Sequence, residues 1–271
     1  MQSLENSGKI FYGLGTAGIG ILHFFYPGFR PVILPLSPEA TAGINFLAYA
    51  AGAIIALTGL YIALAKNVKS TALFLGTFLI LFCLLGHLPN RLMNRPDSLG
   101  AWTDALKCLT LAGGAFLVSR LYPDKSSGAL GIFLQRLAAY GKYFFALLLV
   151  IFGIDHFIYL DFVKTLVPEW IPGHAFWTVL AGIALVGAGM AIFINFRPRI
   201  ISPLLTIMLL IWLLILHIPR AFVAPATDYG NEWTSVFECL AFAGIALLYP
   251  LDKQARIVVG GVVGGEVVGG G

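Results

Sequence analysis

Five histidines, His23, His87, His156, His174 and His217, are the main candidates for chemistry in this chain. Four of them form a pattern. His23-Phe24 and His156-Phe157 each fall late in an apolar run, and His87 and His217 each begin a His-x-Pro phrase at the end of another run. Asp104 and Glu232 follow a short distance downstream, beside Trp102-Thr103 and Trp233-Thr234. Imidazoles and carboxylates at one depth admit several chemistries. A quinone site needs an apolar cleft, aromatic walls and a group that hydrogen-bonds the ring oxygens, and Phe24, Phe25 and Tyr26, or Phe157 and Tyr159, supply the aromatics. A haem b needs two facing neutral imidazoles, which His23 with His87 or His156 with His217 would provide. A metal ion needs a third ligand, such as Asp104, Asp155 or Glu232, and no motif dictates one. The bland alternative is that these side chains hydrogen-bond loop carbonyls and hold a bundle together. All of these readings stay open at this stage.

The elements that position the histidines are apolar. Hydrophobic residues make up 59% of the chain and charged residues 11%, with a mean hydropathy of +0.88. A soluble domain carries about a quarter charged residues, so this chain requires lipid as its solvent. Crossing about 30 Å of hydrocarbon takes about 20 helical residues. Eight runs qualify: 9–28, 42–65, 70–88, 102–121, 138–160, 175–196, 200–218 and 233–250. The proline of each His-x-Pro is expected to end the third helix of its half, because proline disfavours helical backbone in the preceding residue. Cys83, Cys108 and Cys239 sit inside apolar runs with no CxxC spacing and read as buried inert thiols. GLGTAGIG lies within a run and follows no strand, so its glycines serve close helix packing and not dinucleotide binding.

The chain repeats itself. Gly8-Lys9 corresponds to Gly141-Lys142, His23 to His156, His87-x-Pro89 to His217-x-Pro219, Cys108 to Cys239 and Gly113 to Gly244. Each repeat has an even number of spans, so the two are parallel. The expectation is an all-α integral membrane protein with eight transmembrane helices in two parallel-repeat four-helix bundles. They cover residues 1–125 and 126–256, followed by a Gly/Val tail at 257–271. With the N-terminus on one side, eleven of the 17 Lys and Arg residues fall on that side, so both termini are expected in the cytoplasm. The basic residues are dispersed, which gives no nucleic-acid footprint. A bacterial inner membrane is the expected location.

Helices with a polar or His position late in the first span and a Gly-rich fourth span, LTLAGGAFLVS and CLAFAGIALLYP, resemble the DoxX/DoxD-like membrane family over residues 8–122 and 140–250. The resemblance implies a tandem duplication of a four-helix unit. It also implies an accessory subunit of a redox or respiratory, quinone-linked assembly, with protein subunits as partners. Without a nucleophile triad, phosphate loop or soluble domain, the chain is not expected to be an autonomous enzyme. A structural subunit without cofactor and a small-molecule transporter are the alternatives. The expected cofactor-binding set is His23, His87, His156, His217, Asp104 and Glu232, each pair of histidines meeting near the extracytoplasmic boundary.

Overall fold

The computed structural model describes residues 2–36, 42–123, 128–226 and 230–251; the Gly/Val tail lies outside them. Every regular element among the described residues is helical. The main ones are α1 (Gln2–Phe25), α2 (Asn45–Leu64), α3 (Lys69–Asn94), α4 (Leu99–Ser119), α5 (Ala129–Ala138), α6 (Gly141–Ile158), α7 (His174–Phe193), α8 (Pro198–Val223) and α9 (Asn231–Leu248). Six helices are long and apolar enough to cross a membrane: α2, α3, α5 running into α6, α7, α8, and α9 with its last turn. Their outer faces carry exposed Leu57, Leu64, Phe74, Leu85, Leu204 and Ile207, a surface that lipid accommodates and water does not.

The two remaining runs of the eight form α1 and α4 but fall outside that set of six. Charge and glycine lower their apolarity: α1 carries Glu5, Lys9 and four glycines between positions 13 and 20, and α4 carries Asp104 and Lys107. Burial accounts for the tolerance. Most of α1 from Gly8 to His23 and all of α4 from Thr110 to Ser119 are covered by other helices, so neighbours and not lipid decide their composition. The short α5 lies between the apolar runs 102–121 and 138–160, where a connection is expected. Its 10 residues, ALGIFLQRLA, have apolar positions at helical spacing on one face.

Neither His-x-Pro ends a helix. At Cys83–His87 and Leu213–His217 the backbone opens into a wide π-helical turn, and helix continues to Asn94 and Val223. Proline in a regular helix lacks the N–H and presses on the carbonyl four residues back. The wider turn before Pro89 and Pro219 relieves that conflict and lets the helix run on.

The helices of each half do not close a bundle by themselves. Within each half the first helix packs on the second and the third on the fourth: α1 on α2, α3 on α4, α6 on α7 and α8 on α9. Each first helix also packs on the fourth helix of the other half, α1 on α9 and α6 on α4, while α4 and α9 meet at the centre. Glycine permits the close crossings, and the same ones occur twice. A Cβ on Gly113 would lie 2.5 Å from the Gly141 carbonyl oxygen, and one on Gly244 would lie 2.7 Å from that of Gly8. Between first and second helices, a Cβ on Gly20 would lie 2.6 Å from the Gly52 oxygen, and one on Gly153 would lie 2.7 Å from that of Gly182. Backbone-to-backbone approach of this kind maximises dispersion contact where lipid offers no hydrophobic drive between helices.

Polar contacts cross the same seams. Cys108 and Cys239 donate their thiols to the carbonyls of Leu79 and Leu209, at 3.5 and 3.2 Å. Tyr26 Oη donates to Pro225 O at 2.7 Å, and Tyr159 Oη accepts from the Gly100 N–H at 3.2 Å. Both tyrosines follow a first helix; Tyr26 ties it to the connection that leads into α9, and Tyr159 to the first turn of α4.

Candidate functional site

The first pair of histidines meets a turn of the backbone. After α1 the chain folds back over residues 29–34, and Phe29, Arg30, Val32 and Ile33 are all buried. His23 is fully buried; its Nδ1 donates to Ile19 O at 2.9 Å, and its Nε2 accepts the Arg30 N–H at 3.3 Å. His87, also fully buried, donates from Nε2 to Val32 O at 3.0 Å. The aromatic ring of Phe29 sits edge-on to His23 and against Phe82, at centroid separations of 6.2 and 5.8 Å. The Arg30 guanidinium donates to the carbonyls of Tyr26 and Pro27 and lies over the Tyr26 ring. Both nitrogens of His23 are therefore spent on main chain, and the residues of the first half do not fit a haem. These imidazoles satisfy a buried loop whose polar groups would otherwise cost about 1–3 kcal/mol each.

The second half departs from this pattern. The segment after α6 forms two short helical pieces, Leu160–Val163 and Lys164–Leu166, with Phe162 exposed. Lys164 hydrogen-bonds Asp161 at 2.7 Å and holds its carboxyl below the usual carboxylate range. Phe162, Val163, Leu166 and Val167 of this segment line an open space instead of filling it. A cavity of about 480 Å³ lies there, walled by α4, α6, α7, α8 and α9. Its deeper wall is apolar and aromatic: Leu148, Leu149, Phe152, Leu185, Leu209, Trp212 and Phe242. Its polar end holds Asp155, His156, His217, Lys107, Glu238, and the Arg220–Glu232 pair.

His156 repeats half of the His23 arrangement. Nδ1 lies 2.7 Å from Phe152 O, and since a carbonyl only accepts, the proton sits on Nδ1 and Nε2 is left as an acceptor. Among the described residues nothing hydrogen-bonds His156 Nε2 or either nitrogen of His217. Asp155 Oδ1 and Glu238 Oε1 are buried and also lack a partner there, though Asp155 and Glu238 are only 8% and 4% exposed. Buried polar atoms are rarely left unmatched, and four such groups on residues of one cavity wall make it the candidate site.

Between the halves runs a chain of charge. Lys107 Nζ on α4 binds Glu238 Oε2 on α9 at 3.1 Å and its neighbour Asp104 at 3.5 Å, and Arg91 reaches Asp104 at 3.4 Å. On the other side Arg220 holds Glu232 through two hydrogen bonds, of 2.5 and 3.1 Å. Lys107 and Glu238 each precede one of the matched cysteines, Cys108 and Cys239, so the pair joins equivalent positions with opposite charges.

The six residues expected to form the site are thus divided. His156, His217 and Glu232 share the cavity wall. His23 and His87 converge on the turn at 29–34, not on a ligand, and Asp104 is held by Arg91 and Lys107. Asp155, Glu238, Phe152 and Trp212 join the wall, and the pairing of histidines in the sequence does not single them out. Among the described residues no three His, Cys, Asp or Glu side chains gather as metal ligands.

A family model described as a domain of unknown function, DUF8561, matches residues 145–255, the portion that contains most of the cavity. No curated protein and no solved structure matches the chain.

Proposed function

We propose that this chain is an eight-span protein of a bacterial inner membrane whose second half binds a membrane-soluble ligand of the quinone class, as the membrane subunit of a redox or respiratory assembly. The observation that carries the reading is the cavity, in which apolar walls lead to two histidines and two unmatched carboxylate oxygens. Leu148, Leu149, Leu185 and Leu209 would hold an isoprenoid-like tail, Phe152 and Trp212 a ring, and His156 and His217 the ring oxygens. A bound quinone supplies a carrier of two electrons and two protons. The protein's part is to hold the ring, exclude water and keep a proton on His156 Nδ1 so that Nε2 accepts. DoxX/DoxD-like resemblance supports the redox setting, and the absence of nucleophile or phosphate-binding motifs supports an accessory role.

Purification of the native complex from membranes tests this function. Redox subunits are expected to co-purify; a protein that drives substrate uptake when reconstituted alone would contradict the reading. The proposed topology is two parallel repeats that exchange their first helices about the α4–α9 contact, with both termini cytoplasmic. It is supported by the crossings that occur twice and by the distribution of basic residues. Cysteines introduced at 97–100 should then react with impermeant reagents from outside and those at 66–70 should not, and the reverse result would overturn the orientation.

A further inference from the structure

The first half contains a filled version of the second half's cavity, and its filling describes the missing ligand. Three contacts establish the equivalence. Phe29 lies against His23 and Phe82, whose counterparts His156 and Trp212 line the cavity. The Leu34 side chain lies over Gly86, where a Cβ would approach it to 2.2 Å, and the counterpart Leu216 lines the cavity. Val32 O accepts from His87, whose counterpart His217 lines the cavity. The turn at 29–34 therefore stands where the second half is open.

Seen from the two imidazoles, that turn is a ligand with an apolar body, one donor and one acceptor. The Arg30 N–H donates to His23 Nε2, and the Val32 carbonyl accepts from His87 Nε2. His156 is set as His23 is, with Nδ1 committed to the carbonyl four residues back and Nε2 accepting. With neither nitrogen committed, His217 can donate or accept, but a ligand with acceptors alone leaves His156 facing a lone pair. A hydroxyl group both donates and accepts, so it answers both rings. The counterpart segment is folded into short helical turns whose Phe162, Val163, Leu166 and Val167 line the cavity and leave it open, and the volume suits a small molecule.

We infer that the second-half cavity selects a hydroxyl-headed apolar ring compound, a hydroquinone and not its oxidised carbonyl form, through donation to His156 Nε2 and acceptance from His217. This rests on the proposed binding of a quinone-class ligand in the same cavity.

The test is calorimetric titration of the full chain in nanodiscs, with empty nanodiscs as blank. It uses four short-chain compounds: a hydroquinone, its monomethyl ether, its dimethyl ether and the quinone. The hydroquinone and monomethyl ether should bind about tenfold or more tightly than the dimethyl ether and the quinone, since only the first two carry a donor. His156→Phe should narrow the gap between the two pairs of compounds. Quinone binding as tight as hydroquinone binding in the wild type overturns the donor requirement and leaves the cavity reading in place. Absence of saturable binding by all four overturns both. The four-compound comparison on the wild-type protein does not depend on the variant folding.

Discussion

Replacing Lys107 with Met is expected to lower the unfolding free energy by about 3–5 kcal/mol, whereas Lys107→Met with Glu238→Leu should unfold close to the wild type. The side chains of Lys107 and Glu238 are 13% and 5% exposed and meet 3.1 Å apart where α4 crosses α9. Removing the ammonium alone strands a buried carboxylate and also unbalances Asp104, which shares Lys107. Removing both charges and filling the space with apolar groups deletes the desolvation cost together with the attraction. Equilibrium unfolding in detergent–lipid micelles measures both variants. Equal losses in the single and double variants would show that the pair contributes mainly its packing volume.

The second large effect separates the two halves. Ala51 and Ala181 occupy matching positions on α2 and α7, one residue before the matched Gly52 and Gly182. Ala51 is 4% exposed in the packed core, whereas Ala181 borders the cavity. Ala51→Phe should therefore cost about 1–3 kcal/mol through overpacking, while Ala181→Phe stays within about 0.5 kcal/mol of the wild type because its ring enters open volume. Thermal unfolding of the two variants side by side checks this. Similar losses would mean that the cavity offers no usable room.

Much of this organisation was legible in the residues. Apolar runs located the helices to within a few residues, except for the polar start of α1, the short α5, and the stretches beyond Pro89 and Pro219 where a wide turn absorbs proline. The repeat was legible in the sequence because His23 and His156, Cys108 and Cys239, and Gly113 and Gly244 preserve type and, to within about two residues, spacing. It did not reveal which fourth helix each first helix would meet. Gly8 and Gly141 are equally compatible with Gly113 and Gly244, and only the three-dimensional path decides between them. The same symmetry hid the functional asymmetry. Equal histidines in equal places suggested two equal sites, yet the residues between them differ: Phe29-Arg30 folds inward, and its counterpart Phe162-Val163 lies in a helical piece that borders the cavity without filling it. Arg30, anchored on the carbonyls of its own turn and stacked on Tyr26, is the residue that makes the first turn a plug, and Val163 has no means to do so.

On the proposed reading, one half is closed by its own backbone and the other is open for a small apolar ligand. Native mass spectrometry of the chain released from its own membranes tests it most directly, comparing the wild type with Ala181→Phe. One apolar small molecule should remain bound per wild-type chain and be missing from the variant. A wild-type chain that emerges without such a molecule, or a variant that retains it equally, would contradict the claim.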